Sequence, residues 1–175
     1  MKYYLTYGLG MAGAGAVLGL IGFFAGVGAN SGIMIGLFFG FLGLLIPIIG
    51  VPLAIRAWRD GEGKGLMSFG RGVGVGFFAS LWWGLGAAVW QLLYSMVINP
   101  AMRQEMMDKQ SEAFSRMPEQ QREMAEAMFR IMFNPAVQFV VGIIFCCVFG
   151  VVIALIASAV LKREAPMGIQ PPPVA

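Results

Sequence analysis

Three long stretches of this chain carry no charged side chain, and their spacing constrains the fold more than any motif does. No Asp, Glu, Lys or Arg lies between Lys2 and Arg56, between Arg71 and Arg103, or between Arg130 and Lys162. A soluble domain has charge on about a quarter of its residues; here the figure is 12%, with 58% hydrophobic. A bilayer core of about 30 Å is crossed by roughly 20 helical residues, so the stretch from Tyr3 to Ile55 is too long for one span and must turn back once. Its polar break, Ala29-Asn30-Ser31-Gly32, marks the turn.

The gaps therefore predict four spans, at about 5–28, 33–55, 70–98 and 136–161. Lipid leaves no partner for an open backbone, so spans are helices or closed barrels, and these runs are continuously apolar where barrel strands would alternate. The expected fold is an all-α integral membrane domain over 1–175. Its four transmembrane helices form two hairpins, with an amphipathic helical insert at 100–134 and a disordered tail at 164–175. A signal peptide is the competing reading of the N-terminus, because Lys2 precedes an apolar run and Ala14-Gly15-Ala16 has the small-residue form of a cleavage site. We read the segment as a retained first span.

Orientation follows from Lys and Arg near the span ends. With the N-terminus inside, Lys2, Arg56, Arg59, Lys64, Arg71, Lys162 and Arg163 are cytoplasmic. They outnumber Arg103, Lys109, Arg116, Arg122 and Arg130 of the outer insert, so both termini are expected in the cytoplasm. The net charge of +3 then reflects topology, and no nucleic-acid partner is expected.

Small residues recur at helical spacing. Gly8, Ala12, Gly15, Gly19, Gly22 and Gly26 form one seam in the first span, and Gly36, Gly40, Gly43, Pro47 and Gly50 form another in the second. Membrane helices associate by close packing of small residues, so these seams are expected to pack against each other within the hairpin, with docking of another subunit as the alternative. Pro47 is expected to bend the second helix. Trp58 reads as an interfacial anchor; of the third span's aromatics, Trp82, Trp83, Trp90 and Tyr94, the paired Trp82 and Trp83 lie deeper and are expected to fill space against the glycine faces, with an aromatic ligand pocket as the lesser alternative. In Ser68-Phe69-Gly70-Arg71-Gly72, Ser68 suits a helix cap and Arg71 can reach lipid headgroups from the mouth of the third span. The glycine spacing there fits no dinucleotide fingerprint.

The insert divides at Pro118-Glu119 into two short amphipathic helices. Methionines mark their apolar faces: Met102, Met106, Met117 and Met128 as a candidate partner face, and Met124, Met128 and Met132 as a ladder. Thioethers suit copper(I), but methionine is also an adaptable filler of binding surfaces, which is the preferred reading. The chain has no histidine, the commonest general base and metal ligand. Cys146 and Cys147 are neighbours within a span and point apart. Asp60, Glu62 and Lys64 sit in a glycine-rich loop and read as solvated. We expect no enzymatic activity, no cofactor and no resident metal.

The order of elements resembles the bacterial family known as domain of unknown function 4199. The resemblance rests on Arg56-Ala57-Trp58-Arg59, then Gly65-Leu66-Met67-Ser68-Phe69-Gly70 opening the third span and Ile98-Asn99-Pro100 closing it. A charged insert and a last span ending Leu161-Lys162-Arg163-Glu164 follow. It implies a small four-span protein of bacterial inner membranes, with no assigned activity. The function expected is that of an accessory or scaffolding subunit, in contact with the lipid bilayer and with a protein partner or a second copy of itself. A small channel or transporter for neutral or lipophilic solutes is the alternative, and copper or silver binding at the outer face ranks below it.

Overall fold

The computed structural model describes residues 2–27 and 33–163, so the expected turn at 28–32 and the tail at 164–175 lie outside the described residues. Helix α1 spans Lys2–Phe24, α2 Ile33–Asp60 and α3 Phe69–Leu93, the last running on as a π-helical turn over Tyr94–Ile98. The insert forms α4, Pro100–Ser115, and α5, Glu119–Met132, before α6, Pro135–Leu161. Four of these helices, α1, α2, α3 with its π turn, and α6, are long and apolar enough to cross a membrane. Among the described residues there is no strand, only an isolated antiparallel bridge in which Met67 and Arg163 exchange backbone hydrogen bonds of 2.7 and 3.0 Å.

Helix boundaries follow local chemistry. Asn134 caps α6 by accepting a 2.9 Å hydrogen bond from the Ala136 amide, and Pro135 takes the first helical position, where no N–H is needed. At the end of α1, Gly26 adopts φ +76°, and the amides of Gly26 and Val27 bond back to Phe23 and Gly22 at 3.0 and 2.8 Å. This is the left-handed glycine stop of a Schellman motif. Gly26 thus ends the helix where the sequence pattern had placed it in the packing seam. Ser68 occupies the N-cap position of α3, but its side chain makes no capping bond.

The bundle is inverted relative to a soluble protein. Its buried centre is made largely of small side chains, Ala54, Ala79, Ala154, Ser80 and Ser158 all at 0% exposure, while Phe38, Phe41, Val148 and Ile156 stand on its surface. In water such a surface would be an aggregation hazard; in lipid it is the solvent-facing side. Helix α3 is central: it packs on α1, α2 and α6, whereas α1 and α6 do not meet.

The tightest seam joins α3 to the antiparallel α6. Four residues of α3 spaced by four, Gly72, Gly76, Ser80 and Gly84, face Ser158, Ala154, Gly150 and Cys146, which are also spaced by four. A Cβ on Gly72 would come within 2.5 Å of Ser158 Oγ, one on Gly84 within 3.1 Å of Cys146 Cβ, and one on Gly76 would collide with Ala154. At Gly150 the space is taken by Ser80, whose hydroxyl donates to the Gly76 carbonyl at 2.8 Å. Small residues on one ridge of each helix let the backbones touch, and dispersion replaces the hydrophobic drive that lipid cannot supply.

The glycine seams of α1 and α2 pack against the partner helix only in part, with Gly50 of α2 closed by Met11 of α1. Gly8 and Gly19 of α1 turn to α3, the first against Trp82 and the Ala79 carbonyl, the second 3.1 Å from Trp90 Nε1 measured from an added Cβ. Ala12 fills the notch of Gly86 on the same helix. Gly22 meets Phe39, Gly15 has only Ile46 Cδ1 at 4.0 Å, and Gly36, Gly40 and Gly43 of α2 have nothing within 4 Å. Where α1 presents Gly8 and Gly19, α3 supplies tryptophans that fill the notches, whereas Gly36, Gly40 and Gly43 of α2 meet no such side chain.

Candidate functional site

One consequence of glycine facing open space is a cleft of about 400 Å³ between α1, α2 and α3. It lies in the half of the bundle that bears the insert, running along α3 from Trp83 to Tyr94. Rings of Phe23, Phe39, Trp83, Trp90 and Tyr94 line it, and Gly15, Gly19 and Gly43 give it depth. Tyr94 stands where α3 passes into its π turn, with the Asn99 amide bonded to the Tyr94 carbonyl at 2.8 Å. Such turns inside longer helices are frequent at functional sites. Tyr94 also meets Phe23 edge-on at 6.2 Å and Trp90 at 6.1 Å between ring centroids. Below the cleft, Met11, Val51, Ile55 and Ala79 are buried in a packed layer, so the cleft is blind at that end. The sequence marked the tryptophans and the glycines separately. An aromatic pocket is only the lesser reading of the tryptophans there, because spacing along one helix does not show a pairing that spans three.

The second feature is the insert. Phe114 is buried against Phe129, and Phe129 stacks on Phe133 with centroids 4.0 Å apart, which ties α5 to α4. On the polar face of α5, Arg122 donates to Glu126 at 2.7 Å, and that carboxylate holds the guanidinium pKa above its ordinary value. Met124, Met128 and Met132 occupy the opposite face and are 70, 62 and 63% exposed, with Ile131 between them. Of the other methionines singled out, Met117 is exposed in the turn between α4 and α5, and the side chains of Met102 and Met106 lie outside the described residues. No group of three His, Cys, Asp or Glu gathers among the described residues.

At the opposite end, the Arg71 guanidinium lies 5.1 Å above the Trp58 ring, whose Nε1–H donates to Glu62 at 2.9 Å. Arg71 stays exposed at this end of α3 while its guanidinium stacks on Trp58. Glu62 is likewise engaged, and the loop that carries it is held by the Gly63 and Gly65 amides donating to the Trp58 and Arg59 carbonyls at 3.0 and 2.8 Å.

Four apolar helices around a small-residue seam, with large hydrophobic side chains outward, define a multi-pass helical membrane protein. A family model describing a protein of unknown function, DUF4199, matches residues 6–163, and the chain belongs to that family. No curated protein and no solved structure matches it.

Proposed function

We propose that this protein is a non-enzymatic subunit of a membrane assembly, held in a bacterial inner membrane with both termini in the cytoplasm. What carries the reading is the bare face of α2. Gly36 and Gly40, one helical turn apart, are exposed with nothing within 4 Å of an added side chain. In lipid such a pair lets a second helix approach to backbone contact. The exposed methionine face of α5 adds a soft, adaptable surface outside the bilayer. A through-path for solutes finds less support, because the cleft stops at the packed layer beneath it.

Extraction in native lipid discs followed by mass spectrometry tests this. The expected result is a second copy or a distinct membrane subunit in stoichiometric amount, lost on Gly36→Leu with Gly40→Leu while the fold is retained. A monodisperse monomer without a companion would sink the proposal.

A further inference from the structure

The cleft between α1, α2 and α3 has the features of a binding site for an amphiphile. Its lining is largely apolar, yet three residues with polar side-chain groups join it: Trp90 with its Nε1–H, Gln91 with its amide and Tyr94 with its hydroxyl. None of the three has a hydrogen-bond partner among the described residues. Within a membrane, where water is scarce, an unpaired donor is costly and favours any ligand that brings an acceptor. Gln91 and Tyr94 lie near the insert end of α3 and Trp83 near the blind end. At 1.5 Å per residue the eleven steps between Trp83 and Tyr94 cover about 16 Å, close to half of a hydrocarbon core about 30 Å thick. The space is therefore one leaflet deep, polar at the mouth, apolar along its length and closed at the midplane. Its volume of about 400 Å³ falls in the range of about 300–1,000 Å³ usual for small-molecule sites.

We propose that this cleft holds one acyl chain of a glycerophospholipid from the leaflet next to the insert, whose ester carbonyls accept hydrogen bonds from Trp90, Gln91 and Tyr94. The aromatic walls contribute rigid apolar contact at little entropic cost, since rings have few torsions to freeze. Gly15 and Gly43 make room for the chain, as neither has a neighbour closer than 4.0 Å on its open side. Gly43 continues the stripe of Gly36 and Gly40, but those two do not line the cleft, so substitutions there leave its volume unfilled.

The test is native mass spectrometry of protein purified in mild detergent, combined with lipid phosphate analysis. Wild type is expected to retain one phospholipid per chain. Gly15→Leu with Gly43→Leu, which adds bulk to the cleft from positions where a Cβ meets nothing closer than 4.0 Å, should lower retention at least tenfold, and Gly13→Leu, which is open but outside the cleft, should leave it unchanged. Gly36→Leu with Gly40→Leu should also leave it unchanged. A second readout needs no filled cleft: with Trp58, Trp82 and Trp83 changed to Phe, Trp90 fluorescence should be quenched by phosphatidylcholine brominated along its chain. Absence of retained lipid together with absence of quenching would overturn the proposal. So would equal retention by the filled variant, or retention of a lipophile without phosphate.

Discussion

Ser158 and Gly150 sit on the same ridge of α6 and predict opposite outcomes when each is changed to alanine. Ser158 Oγ is fully buried and has no hydrogen-bond partner among the described residues, and an orphaned buried hydroxyl costs about 1–3 kcal/mol. Ser158→Ala removes that cost without adding bulk, so we expect it to be neutral or stabilising. Gly150→Ala instead drives a methyl into Ser80, and overpacking a tight seam costs about 1–3 kcal/mol. Ser80→Gly in the same chain should restore most of that loss, because the two positions compete for one space. Reversible unfolding in mixed micelles, followed by tryptophan fluorescence, measures all three. An equal loss for Ser158→Ala and Gly150→Ala would refute the packing argument.

At the scale of elements, α5 and α6 differ in what surrounds them, and the methionine ladder belongs to the exposed one. Met124, Met128 and Met132 share a face on which leucine would fit as well as methionine. Replacing all three with leucine should leave helicity, assembly and copper content unchanged. Loss of bound copper, read by elemental analysis, would move the ladder from surface to metal site. The elements themselves were legible in the sequence. Charge-free gaps located all four spans, and Pro118 and Asn134-Pro135 located the ends of the insert helices. What the sequence withheld was pairing. Gly8, Gly19 and Gly36 look alike in a string of letters, yet the first two are filled by Trp82 and Trp90, and the third faces open space. Spacing reports which residues share a face; only the neighbour's bulk decides whether that face is closed. Gly26 shows the same limit at a terminus, since its rank in a seam says nothing about a left-handed φ. The cleft was illegible for a further reason, because an absence of atoms has no residue to announce it.

For the molecule as a whole, the seam between α3 and α6 sets an order of events. Gly72, Gly76, Ser80 and Gly84 enter the membrane with α3, but the residues that cover them lie beyond the insert, at Cys146 to Ser158. The ribosome must still add about sixty residues after Ile98, which at roughly 5–20 residues per second takes on the order of 3–12 s. Through that interval the third span waits with its most adhesive face uncovered. A chain stopped after Asn134 should therefore be cleared rapidly in cells, and α6 supplied as a separate polypeptide should rescue it, as pulse-chase labelling would report. Survival of the truncated chain at full-length levels would contradict this. The Met67–Arg163 bridge forms only after α6 has emerged, joining the loop between α2 and α3 to the residues that follow α6. Arrival of α6 is thus itself the step that makes the bundle durable, and a copy interrupted before it is marked for removal by the bare glycines it displays.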